Sequence, residues 1–220
     1  VQGAEIFTKT TMVTDAVIDQ IDELRELAPV HNHGHALALR ACRKILPDVP
    51  QVVVFDTAFH QTIPEKAYMY GFPYEDYEKL HVRKYGFHGT SHRFVTAKLA
   101  QVLGKDLKDL KIVSCHLGNG SSITAVQDGK SIDTTMGFTP LDGVLMGTRC
   151  GAVDPSAVTY VAAKHGFTPE EMDTYMNKKS GLYGISGGHS DFREITAGAE
   201  QGDPRATLAK DMLVYDIKKD

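Results

Sequence analysis

Two histidines, His88 and His92, lie in Tyr85-Gly-Phe-His-Gly-Thr-Ser-His92, where glycines flank the segment that carries the first. A histidine on such a turn can present its ring to an anion, although one packed and bonded to backbone uses the same residues. His116 precedes a second turn, Leu117-Gly-Asn-Gly120. Its glycines let two strands reverse with backbone N–H groups outward, one way to cradle a phosphate without cationic side chains; an ordinary hairpin uses them too. Arg149 falls in the loop Gly147-Thr-Arg-Cys-Gly151. From a loop its five fixed donors can clamp a phosphoryl or carboxylate group, while a surface ion pair is the plainer use. Asp56 closes the apolar run Gln51-Val-Val-Val-Phe-Asp56, and ligands of open α/β sheets gather beyond the carboxyl ends of strands.

His31, His33 and His35 alternate, and in an extended chain they would share one face as metal ligands do. No carboxylate or cysteine stands at a matching distance and the segment runs into a helical pattern, so a loop with one functional histidine is the better reading and no metal ligand is assigned.

These residues need elements to hold them. Val17, Ile21 and Leu24 follow helical spacing between Thr14 and Leu27, with Thr14 or Asp15 at the start, and a second helix is expected from Gly34 to Leu46. The run ending at Asp56 is expected to be a strand buried on both faces, because it is continuous and β-branched. Thr90–Leu103 reads as a helix. Ile112–His116, Ser121–Gln127 and a third strand after the Asp128-Gly129 turn read as a meander, followed by helices over Pro155–His165 and Pro169–Lys178. The order predicts an α/β or α+β protein.

Apolar residues make up 42% of the 220 and charged residues 24%, as in soluble enzymes, and no apolar run is long enough to span a bilayer. With a formal charge of -4 and scattered Lys and Arg, the chain offers no basic field for a nucleic-acid backbone. Three distant cysteines, Cys42, Cys115 and Cys150, argue against a disulfide framework and for a reducing, cytoplasmic setting. The chain starts at Val1 without a leader and closes on a helical pattern, Leu208–Ile217, so both ends read as cut.

Taken together, Leu27-Ala-Pro-Val-His-Asn32, Val54-Phe-Asp-Thr-Ala-Phe-His-Gln61, Tyr85–His92, Cys115-His-Leu-Gly-Asn-Gly120, Asp133-Thr-Thr-Met-Gly-Phe-Thr-Pro-Leu141, Met146-Gly-Thr-Arg149, Asp154-Pro155 and Ser190-Asp-Phe-Arg193 resemble the acetate kinase family in family order. The family is part of a superfamily that also includes sugar kinases and actin. The resemblance implies a two-domain, actin-like (ribonuclease H-like) α/β kinase fold, incomplete at both ends. Residues 1–56 would be the remainder of an acid- and phosphate-binding domain and 57–220 a nucleotide-binding domain. It implies ATP as co-substrate, Mg2+ or Mn2+, acetate as acceptor, acetyl phosphate as product, and a homodimer.

Carried over by position, the resemblance makes Asp56 the active-site carboxylate and His88 and Arg149 the stabilisers of the transition state. His116, Leu117, Gly118, Asn119 and Gly120 would contact the ATP phosphates, and Asp191, Phe192 and Arg193 would lie against the nucleotide. His31 would face the phosphoryl site, and Val1, Val30, Phe87 and Pro140 would line the pocket for the acid's methyl group. Gln2 and Ala4 stand where His and Gly are usual, His33 where Pro is usual, and Cys150 and Ala152 where Ser and Asp are usual. Val30 replaces a common leucine and makes room for a longer acid, so a propionate kinase is the nearest alternative. A catalytically incomplete nucleotide-binding module is the alternative of another class.

Overall fold

The computed structural model describes residues 2–27 and 32–220. Strand β1 (Thr11–Met12) leads into helix α1 (Asp15–Glu23), whose start is fixed by the Thr14 side chain accepting the Val17 N–H at 3.2 Å. A single 3-10 turn, Leu24–Glu26, finishes the segment read as one helix to Leu27. Helix α2 (Asn32–Ile45) begins two residues earlier than its periodicity suggests and contains His33 and His35. Their alternation is therefore lost to helical geometry, and His33 Nδ1 instead meets Asp22 Oδ1 at 3.0 Å.

The run before Asp56 departs from expectation. Only Val52–Val53 is strand (β2), antiparallel to β1 with Thr11 opposite Val53. Exposure alternates through Val52 56%, Val53 4%, Val54 44% and Phe55 1%, so one face is buried rather than both. The cause is what packs there. Val53 and Phe55 join Phe7, Val13, Ile18, Ile21 and Ala36 in one core, with Phe7 and Phe55 stacked 4.3 Å apart, while β1 is the only strand paired to β2 among the described residues. Gln2 and Asn32 clasp each other beside this core, Gln2 N–H to Asn32 Oδ1 at 3.1 Å and Asn32 Nδ2 to Gln2 O at 3.0 Å.

Two short helices, α3 (Glu65–Tyr68) and α4 (Tyr74–Leu80), precede α5 (Gly89–Leu103), which Gly104 closes in the left-handed region at φ +62. The meander follows: β3 (Lys111–Leu117), β4 (Ser121–Gln127) and β5 (Lys130–Thr134), in that order across the sheet. Asp128 and Gly129 both have positive φ, +53 and +75, the geometry a tight strand reversal demands.

By contacts the chain forms two compact units, residues up to Ser114 with Thr124–Thr134, and Cys115–Ile123 with Thr135–Asp220. The second is mainly helical: α6 (Pro155–His165), α7 (Pro169–Lys178), α8 (Gly181–Ser186), α9 (Phe192–Glu200) and α10 (Pro204–Lys219). Asp154, Thr168, Asp191 and Asp203 each accept an N–H of the helix they precede, and Thr168 with Glu171 forms a reciprocal capping box. Leu145, Leu182, Ile195 and Ala209 form the core of this unit. The three cysteines are free thiols, and no helix among the described residues is long and apolar enough to cross a membrane.

Candidate functional site

In the first unit the chain leaves β2 through buried Phe55 and places Asp56 against the start of α5. The Asp56 backbone carbonyl accepts the Gly89 N–H at 2.9 Å, and its Oδ2 accepts the His88 N–H at 2.9 Å. His88 adopts φ +56, an uncommon conformation for a residue with a side chain. Gly89 cannot be replaced cheaply, since a Cβ there would strike the Asp56 carbonyl oxygen. Asp56 and His88, expected to act together, are thus brought together. Phe87, expected in the acid pocket, is buried immediately before them. Val1, Val30 and His31 lie outside the described residues.

Behind this pair sits His60, fully buried, which the reading by residue type passed over. Its Nε2 lies 2.8 Å from the Phe87 carbonyl and its Nδ1 2.9 Å from Ser131 Oγ. Burial holds its pKa below the usual 6.5, and Lys84 pushes the same way, against the opposing pull of the Phe87 carbonyl and Asp56. Folded His60 is therefore neutral where the unfolded chain would protonate. Its contribution to stability is full above pH 6.5 and is lost as pH falls through the folded-state value. We expect urea midpoints to drop between pH 7.5 and pH 5, and His60→Gln to remove that part of the pH dependence. An unchanged slope in the variant would mean another group titrates.

In the second unit Arg149 is half-buried in a loop bounded by Gly143 at φ +99 and Gly151 at φ +70. One guanidinium nitrogen donates to the Pro140 carbonyl at 3.1 Å and lies 3.8 Å from Met146 Sδ. No carboxylate pairs with Arg149 among the described residues, and burial alone lowers its pKa. A guanidinium desolvated without a counter-ion is disposed to take an anion.

Beside that loop lies a cavity of about 610 Å³ whose lining includes Leu117, Gly118, Asn119, Met146, Asp191 and Phe192. Five residues assigned to ATP therefore share one cavity. Gly120 closes the turn, its carbonyl accepting the Gly118 N–H at 3.2 Å, and His116 stands at the end of β3, outside the lining. Arg193 is also outside it: its side chain is 91% exposed and forks onto Asp191, with one contact of 2.6 Å that holds the Asp191 pKa at about 2.

Gly147, named in the sequence motif but given no role there, lets the turn approach. Its N–H donates to the Asn119 carbonyl at 3.2 Å, and a Cβ would overlap Asn119 Oδ1. Leu182, Leu213 and Ile217 supply the apolar wall. The spacing of Leu213 and Ile217 in a helical run was the available signal for it.

Comparison with known proteins accords with these features. The model of the acetokinase family matches residues 1–220. Acetate kinase 2 of Clostridium perfringens is 53% identical over 219 residues, covering all of this chain and 55% of that protein. Among solved structures, Porphyromonas gingivalis acetate kinase superposes with a TM-score of 0.94 at 45% identity, covering 99% of this chain and 55% of that one. A propionate kinase from Francisella tularensis gives 0.95 at 45% identity, covering 100% and 56%. The chain thus spans about half the length of the relatives it matches, and its α/β fold is that of these two-domain, actin-like kinases. With the family model matched along the whole sequence and relatives more than half identical, the chain belongs to the acetokinase family.

Proposed function

We propose that the protein carrying these residues transfers the γ-phosphoryl group of ATP to acetate, reversibly, giving acetyl phosphate and ADP. The observation that carries this reading is Arg149, half-buried with no carboxylate partner among the described residues, in contact with Met146 of the cavity wall. Acetate is ionised at neutral pH, its carboxyl pKa lying roughly three units lower, so it needs no base to become a nucleophile. A carboxylate oxygen bonds to the γ-phosphorus as the bond to the β–γ bridging oxygen breaks, and ADP departs with that electron pair. The obstacle is repulsion between anions, and phosphoryl transfer is served chiefly by positioning and charge neutralisation.

Arg149 and His88 have those tasks. The cavity beside Gly118–Asn119, with Asp191 and Phe192, holds the nucleotide, and His116, Gly120 and Arg193 belong to its periphery. Asp56 orients rather than accepts a proton. Mg2+ fits a site that offers one carboxylate, Asp56, since it binds through one or two carboxylates plus phosphate oxygens and water. Bound with ATP, it would offset phosphate charge, with Asp56 acting on it through its water shell. His31, Val1, Val30, Phe87 and Pro140 are assigned to the acid, with residues 1–56 in the acid-binding domain and 57–220 in the nucleotide-binding one. A cytoplasmic homodimer completes the proposal.

A hydroxamate trap for acyl phosphate, run with ATP, Mg2+ and acetate on this chain and on the whole protein, tests it. We expect product from the whole protein. Silence there from a folded sample would overturn the kinase reading, and nucleotide binding without product would favour a binding module. Propionate is the second acceptor to run, because the Francisella tularensis structure named for it is as similar in fold as the acetate kinase. Faster turnover on propionate would change the substrate and keep the reaction.

A further inference from the structure

The Phe87–His88 peptide group is gripped from both ends. Its carbonyl oxygen lies 2.8 Å from His60 Nε2, and its N–H donates to Asp56 Oδ2 at 2.9 Å. A carbonyl can only accept, so Nε2 carries the proton, and Nδ1 is left to accept from the Ser131 hydroxyl at 2.9 Å. The donors therefore run in one direction: Ser131 hydroxyl to His60, His60 to the Phe87 carbonyl, and the N–H of that same peptide to the carboxylate. Each bond polarises the next, and in a buried setting such chains strengthen their last member.

We propose that His60 is a positioning residue for the phosphoryl-transfer reaction, orienting the Asp56 carboxylate and the left-handed backbone of His88 through their shared peptide group. The claim rests on the kinase reading for its catalytic consequence and on geometry alone for its structural one. Gly86 fits the same design. At φ +73, it lies so close that a Cβ would come within 2.8 Å of the His60 ring carbons, so the loop is shaped to accept the imidazole. Ser131 is held in turn, its carbonyl accepting the Thr62 hydroxyl at 2.7 Å.

The test uses His60→Leu, His60→Gln and Ser131→Ala. Glutamine keeps a donor near the place of Nε2; leucine fills the space without one. By amide exchange of the labelled chain, His88 N–H should exchange about tenfold faster or more in His60→Leu than in the parent and stay near the parent in His60→Gln. In the whole protein, His60→Leu should lower kcat by about 10- to 100-fold with the KM for the acid within twofold, as expected when a reacting group is misaligned. His60→Gln should recover most of that loss, and Ser131→Ala, which disturbs folding least, should lose severalfold in kcat. Unchanged His88 exchange in His60→Leu and Ser131→Ala, or a glutamine variant no better than leucine, would overturn the proposal. If the unsubstituted protein makes no acyl phosphate, the kinase reading fails, and the exchange measurement still decides the role of His60.

Discussion

In the whole protein, on the proposed kinase reading, replacing Arg149 with alanine should reduce acetyl phosphate formation by about a hundredfold or more, equivalent to at least about 2.7 kcal/mol of lost transition-state stabilisation. The guanidinium is half-buried and meets no carboxylate among the described residues, so little of its charge is spent within them. The Pro140 carbonyl, the one it bonds among the described residues, fixes its direction and leaves most donors for a ligand. The loss should fall on kcat, with the KM for ATP changing little, because the cavity proposed for the nucleotide is lined by Leu117–Asn119, Asp191 and Phe192 and not by Arg149. Arg149→Lys should remain well below the parent, since an ammonium cannot reproduce the fork. Full turnover in Arg149→Ala would remove Arg149 from the mechanism.

The second large effect is expected at Gly181, which lies outside every motif used to read the sequence. Its φ is +62, and a Cβ there would overlap the Met146 carbonyl oxygen and fall 2.7 Å and 2.9 Å from the backbone oxygen and nitrogen of Arg149. Alanine at such a φ costs roughly 1–2 kcal/mol, and overpacking against backbone, which cannot rotate away, adds about 1–3 kcal/mol. A total of about 2–5 kcal/mol corresponds to a fall in Tm of about 4–20 °C for a chain of this size. Because the obstructed atoms belong to the Arg149 loop, Gly181→Ala should lose turnover even at temperatures where it remains folded. A Tm within about 2 °C of the parent would show that the loop can yield, contrary to the contacts described.

How far the sequence led depended on whether each signal was local. Helices α5, α6 and α7 were legible because their ends carry their own chemistry, Asp154-Pro155 and Thr168-Pro169 at the starts and Gly104 and Gly166 at the stops. The meander was legible through Asp128-Gly129, and β3, β4 and β5 agree with it. Short, glycine-rich α8 carries no such pattern. The run before Asp56 was misjudged because a β-branched segment has one composition whether one face or both are covered, and only the packing of Phe7 and Ile21 decides. His60 was invisible for another reason. Its partners, Phe87 and Ser131, stand 27 and 71 residues away, a separation that leaves no periodicity to detect. The roles given to Asp56, His88 and Arg149 came from resemblance; by spacing alone each kept its plainer alternative.

That 71-residue separation has a meaning in time. At a synthesis rate of about 5–20 residues per second, Ser131 follows His60 out of the ribosome by roughly 4 to 14 s. Until then the imidazole has no hydroxyl to bond and no sheet to exclude water, so it remains hydrated and free to protonate. The Phe87–His88 turn cannot acquire its full grip before β5 has been made. Burial of His60 therefore cannot precede the synthesis of β5, and an acidic surrounding during that interval would oppose it by keeping the ring charged.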